Sequence, residues 1–496
     1  MICVLQFDAA SVAVLERMLA EGRLPTLAAL RGRGRRVELE TPAVDFAAGA
    51  FHTLYSGIEL GDHGLFYPFQ FSPAEGRVRY ATAFPAPPAV WELLARSGLR
   101  SLVLDPYESR PPAEWRGALA CGVGFRDRVV LPRWSRPHRV GRVARAGPQA
   151  TEIFGRPTVA ELLRLRERLL AAPGRLADAA VELLAAERFD LAWITFPAAH
   201  LAGHQFWDLS QLTDEPEGED RRLLRSALGD VYEAVDTAMG RVLAALPEGS
   251  DAIAVSAVGM DENASRADLL PGMLAAVLAG RPLPASGGGA IWRLRAAVPA
   301  RARRAVAGAL PDRVALELAA RLELRGVDLA TAPAFAHPAD NQGYVRLNLR
   351  GREPLGVLGP GEAPELREWI AEGLGGFRDP DGEPAVATVV SAPELHPGER
   401  SEQLPDLVVR WSERPATRLD RVVHERLGEV RRAGAGSGRS GNHTAGDAWA
   451  VLAPGTAAHV DPGRPPRVAD VAATIAELAG ADGRETLPGR ALLAAS

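Results

Sequence analysis

The stretch ICVLQFDAASVAVLERMLAEG, residues 2–22, joins an apolar run that ends at Asp8 to the pattern of an amphipathic helix. Similar units recur along the chain. Helix-like segments precede the apolar runs SLVLDP (101–106), DLAWITF (190–196) and DAIAVSAVG (251–259). Short apolar strands that alternate with amphipathic helices are typical of a mostly parallel sheet covered on both faces. The sequence therefore predicts an α/β fold, with a break at Pro25 between its first two helices.

Composition restricts the class of protein. The chain has 496 residues, 47% of them hydrophobic and 24% charged, and its formal net charge is -5. These values are typical of a globular protein with a large core and argue against a nucleic-acid partner. The sequence has no apolar run of 18 residues or more, so it predicts no membrane span. Its first residues lack the basic region of a signal peptide. We expect a cytoplasmic protein, and two cysteines argue against a disulfide framework.

The chain changes character between about 262 and 425. Pro- and Gly-rich pieces such as LPASGGG and RDPDGEP alternate there with helical segments. We expect residues 1–261 to form the first part of a core, 262–425 an inserted cap subdomain, and 426–496 the C-terminal part of the core. The candidate pocket residues in the insertion, chosen by location alone, are Trp292, Tyr344 and Arg346.

Several polar groups follow predicted strands directly. Asp8, the pair His200 and His204, and the turn at 256–260 all come at such positions. Ligands of parallel sheets bind beyond the carboxyl ends of the strands. We therefore expect these groups to converge although they are distant in sequence.

The segment FPAAHLAGHQFWD, residues 196–208, places His200 and His204 four residues apart. On a helix both imidazoles lie on one face, where they can reach a single cation. His443, in a Gly-rich loop, is the natural third candidate, and three imidazoles with an open position are an arrangement of catalytic zinc. The alternative is structural, with one histidine capping a helix and the other packing against Trp207.

Motifs along essentially the whole chain resemble the type I phosphodiesterase/nucleotide pyrophosphatase branch of the alkaline phosphatase superfamily. They are FDAASVAVLERMLAEGRLPTLAALRGRG (7–34), LYSGIELGDHGLF (54–66), HLAGHQFW (200–207) and GNHTAGDAWAVLAPG (441–455). NQGYVRLNLRGREPLGVLGPGE (341–362) and LPDLVVRW (404–411) resemble one bacterial subgroup. The resemblance implies an α/β/α sandwich, alkaline phosphatase-like, with two metals at the carboxyl edge of the sheet. It also implies a Thr or Ser nucleophile that forms a covalent intermediate.

The chain departs from the motifs of that family at several site positions. Ala47 stands at the nucleophile position, and His200 replaces an Asp of the first metal site. An Asp-His pair expected after Ser256 is replaced by Ala257 and Val258. Of the four ligands that the resemblance implies for the second metal, this chain keeps only Asp8.

The resemblance leaves one complete ligand set, His200, His204 and His443. We expect it to hold one divalent transition metal, zinc before iron, nickel or copper. Asn442 is a candidate to orient His443 or to contact substrate. Asp261 and Glu262 are further candidates to join the site, and Asp45 is expected at the surface. If the register of the nucleophile motif differs, the candidate nucleophiles are Thr41, Thr53 and Ser56.

The expected function is that of a metal-dependent enzyme with a single three-His site. Hydrolysis of a small phosphoester-like or related anionic substrate, without a covalent Ser or Thr nucleophile, is the inherited chemistry, and a non-hydrolytic reaction at the same ion is an alternative. Asp8 would act as general base or as the partner of a ligand histidine. Two further interpretations stay open: a non-catalytic relative that binds a ligand or partner, and an ordinary two-metal phosphodiesterase with substituted ligands.

Overall fold

The computed structural model describes residues 1–143, 152–153, 155–280, 310–324, 326–339, 341–434, 436–443, 446–453 and 464–492. The strands are β1 Ile2–Phe7, β2 Arg35–Leu39, β3 Phe69–Ser72, β4 Arg77–Tyr80, β5 Ser101–Leu104, β6 Gly117–Cys121, β7 Trp134–Arg136, β8 Leu191–Phe196, β9 Asp251–Ser256, β10 Asp261–Glu262, β11 Ala334–His337, β12 Gly343–Leu347, β13 Val386–Ser391, β14 Leu407–Trp411, β15 Arg421–His424, β16 Gly428–Arg431, β17 Gly441–Asn442 and β18 Ala448–Ala453. The α-helices are α1 Val12–Ala20, α2 Pro25–Arg33, α3 Ala47–Ser56, α4 Leu60–His63, α5 Val90–Arg96, α6 Val140–Val143, α7 Val159–Ala186, α8 Ala198–Phe206, α9 Gly218–Ala244, α10 Leu270–Ala279, α11 Asp312–Glu323, α12 Ala363–Gly375, α13 Ala392–Leu395 and α14 Ala469–Leu478.

The main sheet has eight strands among the described residues, in the order β2-β18-β9-β1-β8-β5-β6-β7. Neighbours from β9 to β6 pair in parallel, whereas β18 and β7 pair antiparallel with the strands beside them. Every residue of β1 and β8 is buried, as uninterrupted apolar strands require when both faces of a sheet are covered. The predicted α/β fold with a mostly parallel sheet is confirmed.

Two groups of helices cover the sheet. Helices α7, α8 and α9 contact one another and α9 contacts α2, whereas α3 and α5 contact α14. The protein is therefore an α/β/α sandwich. The longest helices, α7 and α9, bury one face and expose charged residues on the other. Across the described ranges, no helix is long and apolar enough to cross a membrane.

The first strand and helix form as the sequence predicts. Ser11 caps α1, since its hydroxyl accepts a hydrogen bond from the Val14 amide at 3.4 Å. Helix α1 ends at Ala20 and α2 begins at Pro25, which confirms the predicted break. Proline is tolerated at a first helical position because the N–H it lacks would have no partner within the helix.

A separate antiparallel sheet, in the order β11-β12-β14-β13, lies in the predicted insertion. Around it, a second hydrophobic cluster gathers buried side chains from Leu269 to Leu427. This sheet and its core support an inserted subdomain, whose boundaries at 262 and 425 stay predictions. Trp292 lies outside the described residues.

A buried ion pair joins Arg266, near the start of this subdomain, to Asp379. The guanidinium of Arg266 binds both carboxylate oxygens of Asp379, at 3.0 and 2.5 Å, and donates to the Ala264 and Ser412 carbonyls. The side chains of Arg266 and Asp379 are 0% and 6% exposed. The only other cation within 4 Å of the Asp379 carboxylate, among the described residues, is Arg414 at 3.9 Å.

We expect Arg266→Ala to lower the free energy of unfolding by about 3–5 kcal/mol, because it leaves the Asp379 carboxylate buried without a close cation. Urea denaturation measures the change. Arg222→Ala is the control, since Arg222 pairs with Glu219 in full solvent and its loss should change stability far less. Equal effects of the two substitutions would contradict the structural role of Arg266.

Candidate metal centre

Two parallel strands and a small antiparallel pair bring the candidate residues to one edge of the main sheet. Asp8 follows β1, and helix α8, which carries His200 and His204, follows β8. The register pairs Phe7 with Phe196, so both strands end at the same level. His443 follows β17, which pairs with β10 just beyond the end of β9. The groups predicted to converge do so at the carboxyl edge.

The three imidazole rings meet through their Nε2 atoms. His200 Nε2 lies 3.1 Å from His204 Nε2 and 3.0 Å from His443 Nε2. Nitrogen ligands at about 2.0–2.1 Å from a tetrahedral zinc ion lie roughly 3.3–3.4 Å apart. His200 Nε2 is thus within a few tenths of an ångström of this spacing to each of the other two donors, and the ligand atoms of all three rings lie within 4.8 Å of one another.

The Nδ1 atom of each ring has its own acceptor. His200 Nδ1 lies 2.9 Å from Asp8 Oδ2, His204 Nδ1 2.9 Å from the Gly441 carbonyl, and His443 Nδ1 2.9 Å from the Gly259 carbonyl. Carbonyl oxygens only accept, so the proton of His204 and of His443 is on Nδ1, and a carboxylate holds His200 in the same tautomer. His200 Nε2 then offers a lone pair beside the unprotonated Nε2 atoms of His204 and His443.

Burial favours the neutral form of His204 and of His443. His200, His204 and His443 are 3%, 2% and 4% exposed. Desolvation lowers the pKa of His204 and of His443 well below the ordinary value. Neutral imidazole is the form that binds a metal, and three facing lone pairs repel one another unless a cation or proton lies among them. The donor set fits a divalent transition metal.

Asp8 is buried and both its carboxylate oxygens are engaged. While Oδ2 lies against His200, Oδ1 accepts a hydrogen bond from the Gln6 side-chain amide at 3.1 Å. Three hydrogen bonds fix the orientation of the Gln6 amide, since its Oε1 accepts from Tyr55, Trp193 and Thr195 at 3.1–3.3 Å. Asp8 thus lies in the position of a residue that orients a ligand histidine.

Two aromatic residues that the sequence analysis missed pack on His200. The Tyr107 ring stacks on the His200 ring at 4.4 Å between centroids, and Phe51 lies 4.9 Å from Tyr107. Burial raises the pKa of Tyr107 well above its ordinary value, so the phenol keeps its proton. Tyr107 follows β5 by three residues, and the end of a parallel strand is the signal that could have identified it.

Close backbone contact brings His443 to the pair on α8. The Ser440 amide donates to the His204 carbonyl at 2.8 Å. A Cβ atom on Gly441 would lie 2.3 Å from the Gly203 carbonyl oxygen. Only glycine fits at this crossing, where the loop supplies both the His204 acceptor and His443.

Asn442 is buried beside the rings, and its side-chain oxygen accepts from the His443 amide at 2.9 Å. The contact matches the predicted orienting role, which stays a prediction together with substrate contact. Asp261 pairs with Asn442 in the small sheet of β10 and β17, but its side chain is exposed. Neither Asp261 nor Glu262 belongs to the group of ligand atoms that meet at the three rings.

The alternative nucleophiles have other partners. Thr53 Oγ1 lies 3.1 Å from His63 Nε2, Ser56 donates to the His52 carbonyl, and Thr41 donates to the Ala257 carbonyl. Ala47 is the first residue of α3 and is buried.

The predicted surface position of Asp45 is wrong. Its carboxylate is buried and binds Arg410 through two hydrogen bonds of 2.7 and 2.8 Å, because β14 of the subdomain packs against the segment before α3. Tyr344 donates to the Asp45 carbonyl at 2.7 Å. Arg346 is buried against Glu353 and backbone carbonyls, which is a structural role.

Sequence comparison agrees with this architecture. The profile of the family described as type I phosphodiesterase / nucleotide pyrophosphatase matches residues 2–461. The chain belongs to this family. A comparison with curated protein sequences found no match to this chain.

A solved structure shares the fold of this type I phosphodiesterase family member. Phosphonoacetate hydrolase from Sinorhizobium meliloti 1021, in complex with phosphonoformate, matches with a TM-score of 0.50 and 13% identity, over 97% of this chain and 95% of that chain. An inactive form of murine ectonucleotide pyrophosphatase/phosphodiesterase 5, in complex with AMP, matches with a TM-score of 0.49 and 12% identity, over 99% of this chain and 96% of that chain. At 13% identity, the likeness to the hydrolase shows the fold alone.

We expect Gly441→Ala to lower the free energy of unfolding by about 1–3 kcal/mol, because the added methyl group forces the loop away from α8. Thermal or urea unfolding measures this. The matched control is Gly32→Ala in α2, where a Cβ atom meets nothing within 4 Å, so the substitution should be neutral or stabilise by up to about 1 kcal/mol. A neutral Gly441→Ala would show that the crossing tolerates a side chain.

Proposed function

We propose that this family member is a metal-dependent hydrolase that binds one metal ion through His200, His204 and His443. The observation that supports it is the shared tautomer of the rings: each Nδ1 has an acceptor, and His200 Nε2 lies 3.1 and 3.0 Å from the Nε2 atoms of His204 and His443. Zinc is the first choice for three neutral imidazoles, with iron, nickel and copper as alternatives. When bound, such an ion polarises an oxygen of a substrate or of water.

The proposed substrate is a small anionic phosphoester or phosphonate. The family's name specifies phosphodiesters and nucleotide pyrophosphates, and the fold is shared with a phosphonoacetate hydrolase. Because Ala47 has no hydroxyl, we propose that water attacks the substrate and that no covalent phosphoryl group forms on the protein. This reaction needs only the one ligand set.

Asp8 has a positioning role in this proposal. Its Oδ2 accepts the Nδ1 proton of His200 and its Oδ1 accepts from Gln6, so both oxygens are oriented by protein groups. The carboxylate instead increases the electron density on His200 Nε2, which strengthens a metal ligand. In this proposal Asp8 acts through His200.

A non-catalytic relative is the second candidate, favoured by the burial of all three rings and by the alanines at positions 47 and 257. The ordinary two-metal phosphodiesterase has less support. In the part of the chain that the structure describes, a single group of three or more His, Cys, Asp or Glu ligand atoms comes together.

Metal content tests the ligand set. We expect His204→Ala to abolish stoichiometric zinc binding, because it removes one of three protein donors. Asp8→Asn should retain zinc with an affinity about 10–100-fold lower, since it weakens the partner of a ligand. His138→Ala is the control, a histidine at the rim of another cavity. Inductively coupled plasma mass spectrometry measures the zinc content, and chelator competition measures the zinc affinity. A wild-type zinc content in His204→Ala would refute the three-His site.

The absence of a covalent intermediate is tested with an aryl phosphodiester. We expect product to form linearly from the first turnover, and the intact mass of the quenched protein to stay unchanged. A burst equal to the enzyme concentration, or a phosphoryl adduct on any residue, would mean that another side chain replaces the nucleophile. Turnover that is absent for every phosphoester and phosphonate tried, with zinc bound, would favour the non-catalytic relative.

A further inference from the structure

The hydroxyl group of Tyr107 lies beside the metal-facing atom of His200. The two atoms are 3.5 Å apart, at the outer limit of a hydrogen bond. Tyr107 is 8% exposed, and in the described residues its hydroxyl has no other hydrogen-bond partner. The neighbouring Phe51 packs on Tyr107 and stacks on His200 at 6.3 Å, so the phenol ring is held in place from the side.

The lone pair of His200 Nε2 is a poor acceptor for the Tyr107 hydroxyl. His200 Nδ1 faces the Asp8 carboxylate and carries the proton, which leaves a single lone pair on Nε2. The Tyr107 ring stacks on the His200 ring, so the Tyr107 hydroxyl lies over the face of the imidazole, whereas this lone pair lies in the ring plane. The hydroxyl is therefore a buried donor without a good acceptor at His200, with or without an ion on Nε2, which is unfavourable.

We propose that Tyr107 is a catalytic residue whose hydroxyl donates a hydrogen bond to an oxygen of the anionic substrate at the three-His site. The inference rests on the proposed function and deepens it. An oxygen bound beside the three Nε2 atoms would lie within reach of a hydroxyl that is 3.5 Å from one of them. Hydrogen bonds to charged oxygens are stronger than those to neutral ones, so this contact favours a phosphoryl or phosphonyl oxyanion over a neutral ligand.

The competing role for Tyr107 is packing alone. Its ring covers one face of His200 at 4.4 Å, and removal of that face would disturb a metal ligand without any contact to substrate. Two substitutions separate the roles. Tyr107→Phe keeps the ring and removes only the hydroxyl, whereas Tyr107→Leu removes both.

The experiment titrates the full-length chain, loaded with one equivalent of zinc and freed of excess, with inorganic phosphate in a calorimeter. We expect Tyr107→Phe to hold zinc like the wild type and to bind phosphate at least tenfold more weakly. Tyr107→Leu should weaken zinc binding as well. Tyr232→Phe is the matched control, because the Tyr232 hydroxyl accepts from the Ser11 amide at 3.0 Å and its loss should leave phosphate affinity unchanged.

The outcomes distinguish this inference from the proposal beneath it. Phosphate affinity of zinc-loaded Tyr107→Phe within twofold of the wild type overturns the role of the hydroxyl while the metal site stands. Zinc-loaded wild type that does not bind phosphate also overturns it. A wild-type chain that takes up no zinc overturns the proposed function itself.

Discussion

The three hydrogen bonds at the Nδ1 atoms of His200, His204 and His443 are the constraint on which the site depends. A histidine ring has two nitrogens, and the acceptor at one of them decides what the other offers. Here a carboxylate and two backbone carbonyls take the Nδ1 side. The rings are thereby prepared for a cation before one arrives, which lowers the entropic cost of binding it.

The same constraint explains the altered role of Asp8. A carboxylate has two oxygens, and in this protein one is committed to His200 and the other to Gln6. Ala257 and Val258 stand where the family resemblance implies an Asp-His pair, and among the described residues Asp8 belongs to no group of three or more ligand atoms. His200 thus supplies the third imidazole of the cluster and is also the partner of Asp8.

The subdomain contributes to the site indirectly. Its strands β12 and β14 hold the segment before α3 through Tyr344, which donates to the Asp45 carbonyl, and Arg410, which binds the Asp45 carboxylate. The charged pair is partly buried, where a bidentate geometry makes it worth more than a surface ion pair. Helix α3 in turn carries Ala47 at its start and Phe51 against Tyr107. The subdomain and the candidate metal centre are thus connected through the segment that precedes α3.

The sequence by itself determined the α/β fold, the helix break at Pro25 and the His200–His204 pair, because strand and helix periodicity and the four-residue spacing on α8 are local properties. His443 was added to that pair by its Gly-rich loop and by the family resemblance. Only the tertiary structure decided the tautomers, the contacts of Asp8 with His200 and Gln6, the burial of Asp45 and the place of Tyr107. The acceptors of His204 and His443 are backbone carbonyls 237 and 184 residues away. Every residue has such a carbonyl, so no side-chain pattern marks the ones that chain packing brings to a buried ring.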